Sequence, residues 1–312
     1  MDAFIEQRLW DIKSSIEPTQ AQKEAAQRSH TNLRTLLDSG NIGNRITGSY
    51  LSGSYARDTA IRPIDDVDII FLIDPSQWAQ NLFEAVKGQP SPASVLQTFS
   101  NAIRYRYPVS SVYYQRRSVR LSMFHLDIDV VPAIPQDQYG NVILIPDSNQ
   151  DQWIKSAPKI HAEKATRVNQ LRGGRLKPLI KLLKKWNSGI PATASLKSFC
   201  IETLATRIFA EVNFETLLDG LILFWDFVSR FGAQTQFYRW PYNYNVSWGG
   251  LFETLNVPDS AGTNSNTAAG VDIQRRLKFA EVAARSRDRL LSAKNALYTS
   301  TANNYISEAL YI

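Results

Sequence analysis

Two acidic runs hold the side chains best suited to chemistry. In DDVDIIFLI, residues 65–73, the period-two alternation of a strand puts Asp66, Asp68, Ile70 and Leu72 on one face and Val67, Ile69, Phe71 and Ile73 on the other. HLDIDVVPAI, residues 125–134, repeats the pattern, with Asp127 and Asp129 sharing a face. A bare Asp-x-Asp is most often a solvated strand edge, because acidic side chains mostly stay exposed. Both runs are otherwise strongly apolar, and acids that interrupt core-like sequence tend to mark functional sites. Neighbouring carboxylates repel, and burying them costs on the order of several kcal/mol, so the arrangement calls for cations. Divalent metals meet that need. Asp66, Asp68 and a third acid, Asp127 or Asp129, can bridge two ions about 3.5–4 Å apart and stabilise the attacking and leaving oxygens of phosphoryl or nucleotidyl transfer. Hard oxygen donors select Mg2+ or Mn2+, and no Cys/His grouping suggests zinc.

A phosphate needs a cradle as well: a glycine where the backbone approaches the anion, hydroxyl or N–H donors, and a helix start behind them. Two Gly-Ser pairs precede the acids. Ser54, followed by YARDTAI, can open a helix, whereas Gly48-Ser49 lies in the Ile46, Gly48, Tyr50 alternation of a strand and reads as a close-packed strand glycine.

The elements that must position these residues change character along the chain. Ile5, Leu9, Ile12 and Ile16 have helical spacing, Pro18 breaks the run, and Thr19 can cap a second helix reaching about residue 37. Strands are expected over residues 45–52, 67–73, 109–114, 118–124, 126–131 and 141–145, with a helix starting at Ser91-Pro92. Beyond residue 150, helices are expected over residues 158–171, 175–186, 195–211, 214–231 and 271–297. The Gly-, Ser-, Thr- and Asn-rich residues 259–270 read as a mobile loop able to serve as a flap. This segregation predicts an α+β catalytic lobe over residues 1–150, a helical lobe over residues 151–312 and a ligand cleft between them.

Composition narrows the classes. At 312 residues and 44% hydrophobic content the chain can bury a substantial core, so disorder is not the default reading. Lys and Arg outnumber Asp and Glu by 35 to 29, a dispersed excess that favours anionic ligands without singling them out. Cys200 is the one cysteine, so no intrachain disulfide forms and a reducing compartment is expected. No leader pattern or membrane-length apolar span is visible, so a cytoplasmic protein is expected.

With these residues in hand, the chain resembles the nucleotidyltransferase superfamily that includes DNA polymerase β, whose signature is a Gly-Ser turn, a spacer of about ten residues, Asp-x-Asp/Glu and a third acid on a later strand. Eleven residues separate Ser54 from Asp66, which fits; sixteen separate Ser49 from it, which is too many. More narrowly, Gly53-Ser54-Tyr55, Asp66-Val67-Asp68, DVVPA at residues 129–133, LIKLLKKW at 179–186 and SLKSF at 195–199 followed by Glu202 resemble a bacterial cGAS/DncV-like nucleotidyltransferase, or CD-NTase. That resemblance implies a polymerase β-like core, a mixed sheet flanked by helices, with a C-terminal helical lobe.

It also implies a cyclic oligonucleotide synthase that joins NTPs into a cyclic dinucleotide or trinucleotide messenger, releases pyrophosphate and serves anti-phage defence through a separate effector protein. Gly53 and Ser54 then hold the donor triphosphate, and Asp66, Asp68 and Asp129 bind two Mg2+ or Mn2+ ions. Asp129 is preferred to Asp127 because it begins DVVPA, and Asp65 is either a bystander or a residue that supports the ligands without touching the ions. Lys184 contacts phosphate, Ser198 adds a hydroxyl, and Phe199 stacks on the base where many relatives have tyrosine. Asn169 is a candidate base contact. Taken alone, Lys181, Lys184 and Lys185 read as a solvated helix face. The family's late Asp-Pro and Asn-containing segment is matched only loosely by Asp259, Asn264 and Asn266. No zinc insertion is visible, so nucleic acid is not required. Two other readings share these motifs: an RNA-tailing or other small-substrate nucleotidyltransferase, and a non-catalytic nucleic-acid sensor.

Overall fold

The computed structural model describes residues 1–79, 84, 88–230 and 255–312. These fall into two compact units, Pro18–Ala162 and a second made of Met1–Glu17 with Glu163–Ile312. Residue 231, the last of the helix expected over 214–231, lies outside the described residues.

The first unit is a mixed sheet with helices. It opens with helix α2 (Gln20–Asp38), since α1 (Asp2–Ile16) belongs to the second unit. Thr19 caps α2 reciprocally with Gln22, and Pro18 ends the preceding run as expected. There follow β1 (Ile46–Ser52), the single turn α3 (Gly53–Ala56), β2 (Asp66–Ile73), α4 (Pro92–Arg106), β3 (Ser111–Tyr114), β4 (Val119–Ser122), β5 (Asp127–Pro135), β6 (Ile143–Asp147) and β7 (Gln152–Ser156). The strand order is β1-β2-β5-β4-β3, with β6 pairing both β5 and β7. Strands β2 and β5 run parallel and the other pairs antiparallel.

Alternation sorts the faces of β2 and β5. Val67, Ile69, Phe71 and Ile73, with Ile128 and Val130, enter a large core shared with Leu33 and Leu37 of α2 and Val95, Phe99 and Ile103 of α4. Trp78 closes that core, stacked on Phe99 at 5.3 Å and donating its indole N–H to the Arg45 carbonyl at 3.0 Å. Ile70, Leu72, Val131 and Ala133 form a smaller cluster on the other face.

The second unit is helical: α1, α5 (Pro158–Leu171, begun in the first unit), α6 (Leu176–Gly189), α7 (Ser198–Glu211), α8 (Leu217–Ser229), α9 (Ile273–Lys294) and α10 (Thr299–Leu310). Within it the buried Trp186 ring packs against Trp225 and Phe279, ring centroids 5.6 and 5.4 Å away, and its indole donates to the buried Ser286 hydroxyl at 2.9 Å. Residues 1–17 do not group with the strands, contrary to the division at residue 150. The reason is packing: Ile5, Leu9, Ile12 and Ile16 are buried in the helical unit. Glu6 joins α1 to α8, accepting the N–H groups of Leu217 and Leu218 at 3.0 Å each and the Trp10 indole at 2.9 Å. A carboxylate there meets both the orphan donors and the positive end of the helix dipole.

Residues 259–270 are not a free loop. The Asp259 carboxylate accepts the N–H groups of Ala261 and Thr263, Asn266 bonds the backbone of Leu255, Val257 and Ala268, and Arg207 and Lys197 donate to the carbonyls of Pro258 and Ala269. Polar residues suited to a flap here tie the segment down. Glu6→Ala is expected to cost about 1–2 kcal/mol of stability, as loss of a helix cap does. A urea midpoint unchanged from wild type would contradict the capping role.

Candidate active site

The parallel pairing of β2 with β5 decides the geometry. Asp66 lies opposite Asp127 and Asp68 opposite Asp129, so four carboxylates occupy one patch on the face away from the large core. Exposed Asp65 contributes only backbone: its carbonyl accepts the Asp127 N–H at 3.0 Å and starts this register. Adjacent strands are about 4.8 Å apart. Two like charges at that spacing repel by on the order of 3 kcal/mol at an effective dielectric of about 20, more than a typical net hydrogen bond returns, so the patch needs counter-charge.

Part of it comes from a residue that the sequence reading passed over. Arg120 on β4 pairs with Asp129 in antiparallel register, and because its neighbours Val119 and Leu121 are fully buried, its side chain projects onto the acid face. Its guanidinium grips both oxygens of Asp129 at 2.9 and 2.7 Å, reaches Asp127 at 3.1 Å and stands 3.9 Å from Asp66. The Ser122 hydroxyl donates to the other Asp127 oxygen at 2.6 Å. One signal for Arg120 was present: a lone cation between two apolar residues of a strand.

Asp68 is left with the least compensation. Burial, then the charges of Asp66 and Asp129, push its carboxyl up from an ordinary 3.8 to about 7, against the opposing pull of Arg57 and Arg120. Gly53 stands directly against it. The glycine follows Ser52, the β1 partner of Asp68, and has φ +69°. A Cβ built there would lie 1.7 Å from an Asp68 oxygen, so only glycine permits the approach. The expected helix behind Ser54 is one turn, Gly53–Ala56, held by the Thr59 N–H donating to the Ser54 carbonyl at 3.0 Å. Gly48 is not close-packed: a Cβ there meets nothing within 4 Å, beside an irregularity in the β1–β2 pairing. Ser49 is taken by Arg34, which donates to its hydroxyl and its carbonyl at 2.9 Å each.

Among the described residues, no three His, Cys, Asp or Glu side chains stand close enough to hold one ion as they are. Both oxygens of Asp129 are engaged by Arg120. The donor set nonetheless has the chemistry of a hard divalent site: carboxylates only, on one face, with one half-buried acid, Asp68, short of positive charge.

The model of the Second Messenger Oligonucleotide or Dinucleotide Synthetase (SMODS) domain matches residues 5–169, more than half of the chain. The chain belongs to the SMODS family. SMODS-type nucleotidyltransferases generally use divalent metal ions. A cyclic AMP-AMP-AMP synthase from an Acinetobacter strain is 31% identical over 70% of this chain and 63% of its own length. A cyclic UMP-AMP synthase from Rhodothermus marinus is 26% identical over 51% and 61%. The chain thus spans less than two thirds of the length of these curated relatives. Among solved structures, the Escherichia coli MS115-1 CdnC with ATP superposes with a TM-score of 0.75 at 18% identity, covering 98% of both chains. The Bradyrhizobium diazoefficiens CD-NTase CdnG with GTP gives 0.69 at 14% identity, covering 97% of both. The fold is therefore the polymerase β-like one of the CD-NTases, a mixed sheet flanked by helices with a helical C-terminal part.

The other SMODS candidates lie in the helical unit and are described within it. Lys184 and Lys181 are not a solvated face: both are buried, and Lys181 pairs with Glu17 at 2.6 Å. Ser198 and Phe199 begin α7 and are exposed, Phe199 at 36%, so its ring is not core. The Asn169 side-chain oxygen accepts the Lys177 N–H at 2.9 Å. Cys200 is fully buried, and burial raises its thiol to about 12. Among the described residues no helix is long and apolar enough to cross a membrane.

Folding raises the Asp68 pKa, so between pH 3.8 and about 7 the native state holds more protons than the unfolded chain, and stability falls as pH rises through that window. Asp68→Asn removes that loss. In EDTA, its urea midpoint is expected to gain on wild type from about pH 4 to about pH 8; parallel midpoints would contradict the half-buried, under-compensated carboxylate.

Proposed function

We propose that the chain is a metal-dependent nucleotidyltransferase that joins NTPs into a cyclic oligonucleotide second messenger, releases pyrophosphate and serves bacterial anti-phage signalling in the cytoplasm through a separate effector protein. The observation that carries this reading is the register that sets Asp68 beside Asp129 and Gly53 against Asp68. AMP is the unit common to the cyclic AMP-AMP-AMP and cyclic UMP-AMP synthases among the relatives, so AMP is expected in the product.

In this reading the Gly53-Ser54 turn offers backbone N–H groups and the Ser54 hydroxyl to the donor triphosphate, close to the acids because Gly53 lacks a side chain. Asp66, Asp68 and Asp129 are the residues that would hold two Mg2+ or Mn2+ ions. Such ions, when bound, neutralise phosphate charge and align the attacking and leaving oxygens. Asp129 favours loss of the proton from an acceptor ribose hydroxyl, which attacks the donor α-phosphorus in line and expels pyrophosphate. A second round, after the linear product turns, closes the ring. Lys184, Ser198 and Phe199 are the candidates for phosphate, hydroxyl and base-stacking contacts that the family resemblance implies.

Incubation with the four NTPs and Mg2+ or Mn2+, phosphatase treatment and mass spectrometry test the reading. A phosphatase-resistant cyclic product containing AMP is expected, abolished in Asp68→Ala while that variant keeps a cooperative melt. Nucleotides added to an RNA or other acceptor instead, or full turnover by Asp68→Ala, would contradict it.

A further inference from the structure

The acid patch carries four carboxylates, yet one arginine serves three of them. Arg120 spends its fork on Asp129, a third contact on Asp127, and lies within 4 Å of Asp66. A guanidinium cannot lose its proton in a protein, so this positive charge is permanent and can leave Asp129 only by moving. Each Asp129 oxygen accepts one N–H from the fork and keeps a second lone pair with which it could hold a divalent ion. The guanidinium and an ion therefore compete through charge.

We propose that Arg120 is a positioning residue: its contacts keep Asp127 and Asp129 aligned, its permanent charge partly neutralises the acid face, and that charge limits how tightly the face takes a divalent ion. This rests on the reading of Asp66, Asp68 and Asp129 as the metal-holding set. Two consequences follow from charge alone. The chain can fold with its acids clustered and no ion present, because the patch is partly neutralised within the fold. The same neutralisation opposes free divalent ions, so occupancy is coupled to the arrival of a nucleotide triphosphate that carries negative charge into the patch.

The test is Mn2+ binding to the full chain without nucleotide, followed by the electron paramagnetic resonance signal of free Mn2+. Arg120→Gln, which removes the competing charge and the fork, is expected to bind Mn2+ about tenfold more tightly than wild type. Arg120→Lys keeps the charge and is expected to bind Mn2+ much as wild type does; Arg120→Met, which also removes the charge, carries the test if Arg120→Gln does not fold. A structural support whose removal loosens the site would weaken Mn2+ binding, so unchanged or weaker affinity in the charge-removing variant overturns the proposal. Adding Asp68→Asn to the tighter-binding variant is expected to abolish the gain. Mn2+ binding indifferent to Asp68→Asn would sink the metal-holding reading, and the role of Arg120 with it, whereas loss of binding in Asp68→Asn alongside an unaltered Arg120→Gln would sink only the latter.

Discussion

Repulsion among Asp66, Asp68, Asp127 and Asp129, imposed by the parallel register of β2 and β5, is the constraint that organises the strand-rich unit. The register is held from the opposite face. Val67, Ile69, Phe71, Ile128 and Val130 are fully buried, and a slip of one residue would turn them outward and drive the acids into the core. Each such side chain contributes about 1.5–3 kcal/mol on burial, so five of them outweigh repulsions on the order of 3 kcal/mol per carboxylate pair. Hydrophobic packing on one face thus keeps the charges together on the other.

The surrounding residues read as responses to that charge. Arg120 and the Ser122 hydroxyl compensate Asp127 and Asp129. Asp68, with the weaker help of Arg57 and Arg120, accepts a raised pKa. Gly53 has no Cβ where one would strike the Asp68 carboxylate, which leaves backbone and carboxylate in direct apposition. The Gly53-Ser54 turn and the acid patch are therefore in direct contact.

The acid face was legible because it depends on local pattern. Two apolar strands interrupted at alternate positions state which residues share a face, and the Gly-Ser spacing separates Gly53 from Gly48. Helices with strong periodicity also appeared where expected, α5 over Pro158–Leu171 among them. What was not legible depends on partners distant in sequence. Arg120 gains meaning only once β4 lies beside β5, and Lys181 reads as solvated until Glu17 meets it. Residues 1–17 look like part of the strand-rich half until Ile5 and Leu9 are seen buried among helices. Strand β7 and helix α10 went unseen, the first for its mixed polarity, QWIKS, and the second for its many small and polar residues. Residues 259–270 misled because the Asn, Asp and Thr of a mobile loop are also the residues that tie a turn to its own backbone.

The central claim, that this carboxylate face exists to hold divalent ions over a nucleotide, is tested most directly by anomalous diffraction from crystals grown with Mn2+ and a non-reacting NTP analogue. Manganese peaks about 2.1 Å from oxygens of Asp66, Asp68 and Asp129, with the triphosphate on the Gly53-Ser54 turn, are the result expected. Nucleotide bound elsewhere, with Asp129 still fully gripped by Arg120 and no manganese among the acids, would contradict the account.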